Sequence, residues 1–358
     1  MEQTVIVVGG GVIGLLTARE LALAGRDVTV LERNRLGRES SWAGGGILSP
    51  LYPWRYPESV NVIAGYGPAA YRRLAEELAE YGDFQYQQTG MMILDTGEID
   101  EARTWAAQDS QRILNLIDQE QARALQPGLQ GLEQRAIWMN SLAHVRNPRL
   151  LKALVPCLRD RGVRLLENTP VKNFRSVAGG VVVETARGER VADKVVVCAG
   201  AWSGDLLKRS GINLPVQPVK GQMLVFEPAP GLVKTMVMKN GRYLIPRRDG
   251  RTLIGSTLEQ EDYDKTTTSE AMKSLRQSAI DMIPAIADLK IEHHWAGLRP
   301  GTPDGVPYIG EHPEIPGLYV NAGQFRNGLV MAPGSARLAA DLVLGRDPVF
   351  APEPYQLS

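Results

Sequence analysis

Three glycines near the start, Gly9, Gly11 and Gly14, stand at the spacing G-x-G-x-x-G. The first permits a sharp turn out of a strand. The second lets a pyrophosphate approach the backbone, and the third lets a helix pack closely against that strand. The helix that follows then turns its free N–H groups and positive dipole end toward the phosphates. The hexapeptide alone is a weak signal. Here the run Thr-Val-Ile-Val-Val (4–8) precedes it and a helical pattern over 12–24 follows it. Glu32 then closes a second strand 18 positions beyond Gly14, where a carboxylate can accept ribose hydroxyls. Together these features predict a bound dinucleotide. Residues 40–54 carry no charge and are rich in Ser, Gly, Pro and Trp. Ser40, Ser41 and the run 44–46 have the small size and free N–H groups suited to an isoalloxazine and ribityl chain, with Trp42 and Ile47 as anchors. A nicotinamide enzyme would instead continue with further βαβ units, so FAD is the expected dinucleotide.

Five stretches resemble the D-amino acid oxidase and glycine oxidase family of FAD-dependent amine oxidoreductases, and the likeness spans nearly the whole chain. They are 5–33, 39–50 (ESSWAGGGILSP), 194–204 (KVVVCAGAWSG), 295–310 (WAGLRPGTPDGVPYIG) and 321–331. The resemblance implies that Val12 and Ile13 face the pyrophosphate and that Glu32 with Arg33 holds the adenosine ribose. It places Ser40, Ser41, Gly45, Gly46 and Ile47 beside the pyrophosphate and flavin, and Val171 against the adenine through its backbone. Gln324, Phe325, Arg326, Asn327, Gly328, Leu329 and Val330 would wrap the pyrimidine end of the flavin. That last assignment has a separate physical reason: 322–328 is a Gly-bracketed turn leading into a helix, whose N-terminus stabilises negative charge on a reduced flavin. Neither Cys157 nor Cys198 stands at the C-terminal position where sarcosine oxidase relatives attach flavin, which implies non-covalent FAD.

A small amino acid needs its carboxylate held and its amine presented to the flavin. Arg299, in the segment Gly-Leu-Arg-Pro, can bind a carboxylate bidentately and so orient the Cα–H. Tyr243, in Arg-Tyr-Leu-Ile-Pro, can add a hydroxyl to the same carboxylate. Arg326 lies in the flavin-end turn, on the amine side. All three match the family's substrate positions. The implied reaction moves a hydride from Cα to flavin N5. The imine hydrolyses to a 2-oxo acid and ammonia, and dioxygen is reduced to hydrogen peroxide. The resemblance implies glycine, sarcosine or D-alanine as substrates, and supply of glyoxylate imine for the thiazole of thiamine. Leu258 replaces an expected Met, which bears on pocket shape. Sarcosine oxidase, a D-amino acid dehydrogenase and a non-catalytic flavin-binding module are the alternatives. Arg247 and Arg248 read as solvated. His144, His293, His294 and His312 form no ligand cluster, so no metal is expected.

These residues must be positioned by recognisable elements. Thr4–Val8 and Val28–Leu31 read as buried parallel strands flanking a helix over 12–24 capped by Gly25. Helices are expected over 68–81, 99–118 and 147–161, the last opened by Asn147 as cap and Pro148 in the first turn. Short strands fall at 163–166, 181–184 and 194–200. Alternating patterns at 220–227, 242–246 and 251–256, between Asn240-Gly241 and Asp249-Gly250 turns, predict antiparallel sheet. Thr267 and Glu270 form a capping box for a helix over 270–282. The tail returns to strand at 318–321 and helix at 329–344. The expected fold is α/β plus α+β: a discontinuous Rossmann-like FAD domain (1–82, 145–215 and 296–350) with an inserted antiparallel-sheet substrate domain (83–144 and 216–295), then a tail, 351–358.

A chain of 358 residues and 39.2 kDa suits two domains. Forty basic and forty acidic side chains cancel, and the pI is near 6.9. Nothing in that balance suggests a basic nucleic-acid surface or a polybasic membrane patch. Two cysteines exclude a disulfide framework and suit a reducing cytoplasm. The apolar start has glycine interruptions and no basic flank, so it reads as a strand and not a signal peptide. The expected protein is cytoplasmic and off the membrane. It meets an amino acid and dioxygen, and associates with copies of itself.

Overall fold

The computed structural model describes residues 3–357. Met1 and Glu2, at the start of the expected cofactor domain, and Ser358, at the end of the tail, lie outside it. Six strands form one mixed sheet in the order 308–311, 318–322, 194–197, 4–8, 27–31, 164–166. Its central pairs are parallel, and Val5, Val7, Val28 and Val30 are at most 1% exposed. A strand covered on both faces has no solvent side to mark with polar residues, which is why these runs are apolar throughout. Helices Val12–Leu23, Glu58–Glu77, Asn147–Asp160 and Gly328–Leu344 cover one face. A three-stranded sheet (Val171–Val177, Gly180–Thr185, Gly188–Ala192) covers the other through Phe174, Val181 and Val183.

An eight-stranded sheet follows the order 291–301, 217–226, 252–255, 242–246, 236–239, 91–94, 136–139, 115–117. Here alternation is clear. Leu224, Phe226, Val237, Leu244 and Ile254 pack toward helix Ser269–Met282. Met223, Val225, Met236, Met238, Tyr243 and Ile245 point to the opposite face, with Leu51 and Tyr52. A period of two therefore decides which side chains can reach a ligand. Strand Ile291–Gly301 pairs along nearly all of strand Gln217–Phe226 and carries this sheet across residue 295.

Several expected elements differ. The helix expected from 68 begins at Glu58, with Pro68 inside it. Val60, Ile63, Ala64, Gly67, Tyr71 and Leu74 bury one stripe, and that packing offsets the hydrogen bond proline loses. The helix expected over 99–118 stops at Ala107, and Asn115–Ile117 pairs as a strand with Ala136–Trp138. Long-range pairing there overrides a helical pattern. Within the uncharged loop Ser40–Ala43 is a short helix. The Thr268 hydroxyl, one residue later than expected, caps helix Ser269–Met282 by accepting the Ala271 N–H. The tail is tied down: Tyr355 is buried and donates to the Ser59 carbonyl at 2.7 Å. Among the described residues no helix is long and apolar enough to cross a membrane.

Candidate functional site

One cavity of about 440 Å3 runs from the Gly9–Ile13 turn to the face of the eight-stranded sheet. The turn is built as its spacing demands. Gly9 has φ +117°, and a Cβ there would sit 2.2 Å from the Cys198 carbonyl oxygen. A Cβ on Gly14 would lie 1.9 Å from the Gly9 oxygen, so helix and turn touch through bare backbone. Glu32 is buried; one carboxylate oxygen accepts the Gly10 N–H at 2.8 Å and the other the Asn34 N–H at 2.9 Å. Each oxygen keeps a lone pair for a hydroxyl. Arg33 lies 3.5 Å from the centroid of the Trp202 ring and pairs with Glu39 at 2.9 Å. Val171 and Thr169 complete this end of the cavity.

The loop over 40–47 crosses the middle of the cavity and is held from several sides. The Ser41 hydroxyl accepts the Val12 N–H at 2.9 Å, and the Ser40 hydroxyl donates to the Leu298 carbonyl. Trp295 donates to the Ala43 carbonyl at 3.0 Å and meets Trp42 edge-on at 6.0 Å. Two further anchors went unread in the sequence. Asn147 is not the cap of its helix: that position is Arg146, and the Asn147 amide donates to the Ser41 and Gly44 carbonyls at 3.0 and 3.1 Å. Arg247, expected in solvent, is buried and donates to the Gly45 carbonyl at 2.7 Å and the Val145 carbonyl at 2.9 Å. Burial and nearby Arg146 pull its pKa down to about 10. Arg247 also lies 3.3 Å from His144 Nδ1, and burial, with that cation, pushes His144 down to about 3. Arg248 is exposed and pairs with Asp83.

At the far end the cavity meets Tyr243, Arg299 and Arg326. Arg299 lies across the ladder from Val219 and diagonal to Gly221, where a Cβ would come within 2.2 Å of its guanidinium. The guanidinium thus lies flat on bare backbone. Arg299 donates to the Lys220 carbonyl at 3.2 Å and to the Ser256 hydroxyl at 2.6 Å. Tyr243 reaches the same Ser256 hydroxyl at 3.3 Å. Among the described residues no carboxylate pairs with Arg299, and desolvation lowers its pKa, opposed by Tyr243 and reinforced by Arg326. Gly221 and Ser256 were not legible in the sequence; no local motif marks either.

Of the expected residues, Gly9, Gly11, Val12, Ile13, Glu32, Arg33, Ser40, Ser41, Gly45, Gly46, Ile47, Val171, Gln324, Phe325, Arg326, Gly328 and Leu329 line this cavity, with Tyr243 and Arg299. Gly14, Asn327 and Val330 do not. Gly14 is spent on packing, the Asn327 side chain is buried, and Val330 is buried in the helical core. Leu258 is 54% exposed and stands outside the cavity. Helix Gly328–Leu344 begins at the cavity wall with no side-chain cap, so its first N–H groups are available there. The residues present fit FAD: a bare-backbone pyrophosphate turn, a buried ribose acceptor, an uncharged middle and a helix N-terminus at the other end.

The comparisons agree with that fit. The family model described as FAD dependent oxidoreductase matches residues 4–342. A glycine oxidase of Pseudomonas aeruginosa is 51% identical over 99% of this chain and 98% of its own length. That of Bacillus subtilis is 31% identical over 96% and 93%. The crystal structure of glycine oxidase from Geobacillus kaustophilus superposes with a TM-score of 0.94 at 32% identity, covering 99% of each chain. The chain belongs to the DAO family of FAD-dependent oxidoreductases.

Proposed function

We propose that this protein oxidatively deaminates glycine and other small amino acids or amines, sarcosine and D-alanine among them. The products are a 2-oxo acid, hydrogen peroxide and the released amine: ammonia from glycine or D-alanine, methylamine from sarcosine. The observation that carries the reading is Arg299, a desolvated cation facing the cavity without a carboxylate partner among the described residues, with the Tyr243 hydroxyl beside it. The curated relatives named glycine oxidase, matched over nearly their full length, support the choice of substrate.

FAD, when bound, supplies the two-electron acceptance and the onward reaction with dioxygen. The chain's own residues do the rest. Arg299 and Tyr243 hold the carboxylate, fixing which hydrogen of the α-carbon faces the cofactor. Arg326 stands on the amine side and, as a cation, favours an uncharged amine there. Methionine, leucine and tyrosine side chains (Met223, Leu51, Tyr243) limit water near the reacting carbon. No general base is required once the amine is neutral. Gly9 to Ile13 with Ser41 bind the pyrophosphate, Glu32 and Arg33 the ribose, and Gln324 to Val330 support the flavin end. The discontinuous cofactor domain and inserted substrate domain then meet at this cavity.

Proteins named ThiO/ThiG match this chain over about half their length, as in Synechocystis (33% identity, 51% of that protein). That those relatives are named bifunctional, with this chain matching about half of each, supports the idea that the imine or 2-oxo acid is handed on, here to thiamine thiazole synthesis. A cytoplasmic homo-oligomer completes the reading, and light scattering on the purified protein checks the assembly. The primary test is an absorption spectrum with a peroxide assay over glycine, sarcosine and D-alanine. A flavin spectrum and peroxide with glycine are expected. Dye reduction without peroxide under air would instead indicate a dehydrogenase.

A further inference from the structure

One buried charge plays no part in the reaction just described. Lys220 is 1% exposed. It alternates with Val219 and Gly221, whose face carries Arg299, so its side chain lies on the opposite face of the sheet. Its ammonium is 2.8 Å from Glu261, 3.2 Å from Asp264 and 3.4 Å from Glu259. Burial opposes that charge most strongly of any single influence, but Glu261, Asp264 and Glu259 together hold the lysine above its ordinary range. All three acids come from one segment, 256–268, between strand Thr252–Gly255 and helix Ser269–Met282.

That segment is a strap. At its start Ser256 accepts from Arg299, and the Thr257 hydroxyl accepts the Gln222 N–H at 2.7 Å. Glu259 and Lys220 exchange backbone hydrogen bonds at 2.9 and 3.0 Å. The Gln222 amide donates to Glu259 at 2.9 Å and accepts the Thr268 N–H at 2.9 Å. Farther along, Tyr263 stacks on Trp202 at 5.5 Å, and Lys265 pairs with Glu39 at 2.9 Å, both at the ribose end of the cavity. The Lys220 carbonyl itself receives both Glu259 N–H and Arg299.

We propose that Lys220 is a positioning residue for Arg299: by gathering Glu259, Glu261 and Asp264 it locks the 256–268 strap to strand Gln217–Phe226 and so sets the two acceptors that orient the guanidinium. This rests on the reading that Arg299 receives the substrate carboxylate. The acceptors are the Lys220 carbonyl and the Ser256 hydroxyl, one on the strand and one on the strap. Without the ammonium, three carboxylates repel one another at close range, the strap lifts, and Arg299 loses Ser256. Carboxylate recognition then suffers while chemistry at the α-carbon does not.

The test uses the FAD-loaded enzyme and Lys220→Met. Three readouts are needed: steady-state kinetics with glycine, the same with glycine ethyl ester, which lacks the carboxylate charge, and titration of the flavin spectrum with acetate. The KM for glycine and the Kd for acetate should both rise about tenfold. The kcat and the ester KM should stay within about threefold. Lys220→Arg should recover most of the loss. A parallel rise in KM for glycine and ester, or a fall in kcat with KM unchanged, overturns the assignment. If Lys220→Met yields no folded holoenzyme, the double variant Glu261→Gln, Asp264→Asn carries the same expectation with the lysine intact. If the wild type binds acetate but does not oxidise glycine, the proposed substrate is wrong, and the acetate ratio still decides Lys220. A wild-type spectrum indifferent to acetate overturns both.

Discussion

Arg247 and Arg299 are both guanidiniums withdrawn against the eight-stranded sheet, and neither pairs with a carboxylate among the described residues. Their surroundings differ in kind. Arg247 is wrapped by protein acceptors: the Gly45 and Val145 carbonyls, with His144 beside them. Its donors are met by fixed carbonyl dipoles, and those bonds tie the 40–47 loop to the segment at Val145. Arg299 has one carbonyl, one hydroxyl and an open side facing the cavity. A desolvated cation that faces an open cavity can take an anion from solution, whereas one sealed among protein acceptors away from the cavity cannot. The same residue type is thus mortar in one place and, on the proposed reading, a binding group in the other.

The strongest way to break this comparison is Arg299→Ala. The KM for glycine should rise about a hundredfold, the loss of a charge-assisted bidentate contact of about 3 kcal/mol, while the protein stays yellow. Steady-state kinetics and the flavin spectrum read this together, and an unchanged KM removes Arg299 from the site. Arg247→Leu should act in the opposite sense. Two buried carbonyls lose their donor, so stability should fall by about 2–3 kcal/mol and FAD should bind more weakly, with little change in glycine KM for the molecules that stay loaded. Urea unfolding and FAD titration check it, and a purely kinetic defect would contradict the division of roles.

The pocket around Arg247 also has a pH signature. His144 is held neutral in the native state, down to about 3, by burial and by Arg247. In the unfolded chain it titrates near 6.5. Between those values the unfolded state binds the extra proton, so acid favours unfolding, by about 1.4 kcal/mol per pH unit. Above about pH 6.5 the effect vanishes. Unfolding free energies for wild type and His144→Asn across this window should diverge in slope; parallel slopes would mean the ring is not buried neutral. The smallest effect belongs to Leu258. Exposed and off the cavity, Leu258→Met should leave the ratio of glycine to sarcosine turnover within about twofold. A larger change would mean that the strap carrying Leu258 closes over the site.

How much of this was legible depended on distance along the chain. The turn at Gly9 to Gly14 and the strands beside it were readable because their constraints act within a few residues: a bare backbone at fixed spacing and an apolar run long enough for one strand. Tyr243 could be placed on a strand by alternation alone. The start of helix Glu58–Glu77 carries no local signal, because its buried stripe is rewarded by packing on helix Gly328–Leu344, far away in sequence. Asn147 looks like a cap in the sequence because a cap and a loop anchor use the same side-chain amide, and only the position of Gly44 distinguishes them.

By itself the sequence determined the dinucleotide turn, the buried parallel strands, the alternating sheet and the family likeness, all properties of short runs of residue types. The tertiary structure alone decided which arginine faces the cavity and which is sealed, and that Lys220 gathers three acids behind Arg299. It also decided that Ser256 lies between Arg299 and Tyr243. The physical reason is desolvation. Whether a charge is masked, paired or left open to a ligand depends on groups brought together from distant parts of the chain, and no local pattern records that meeting.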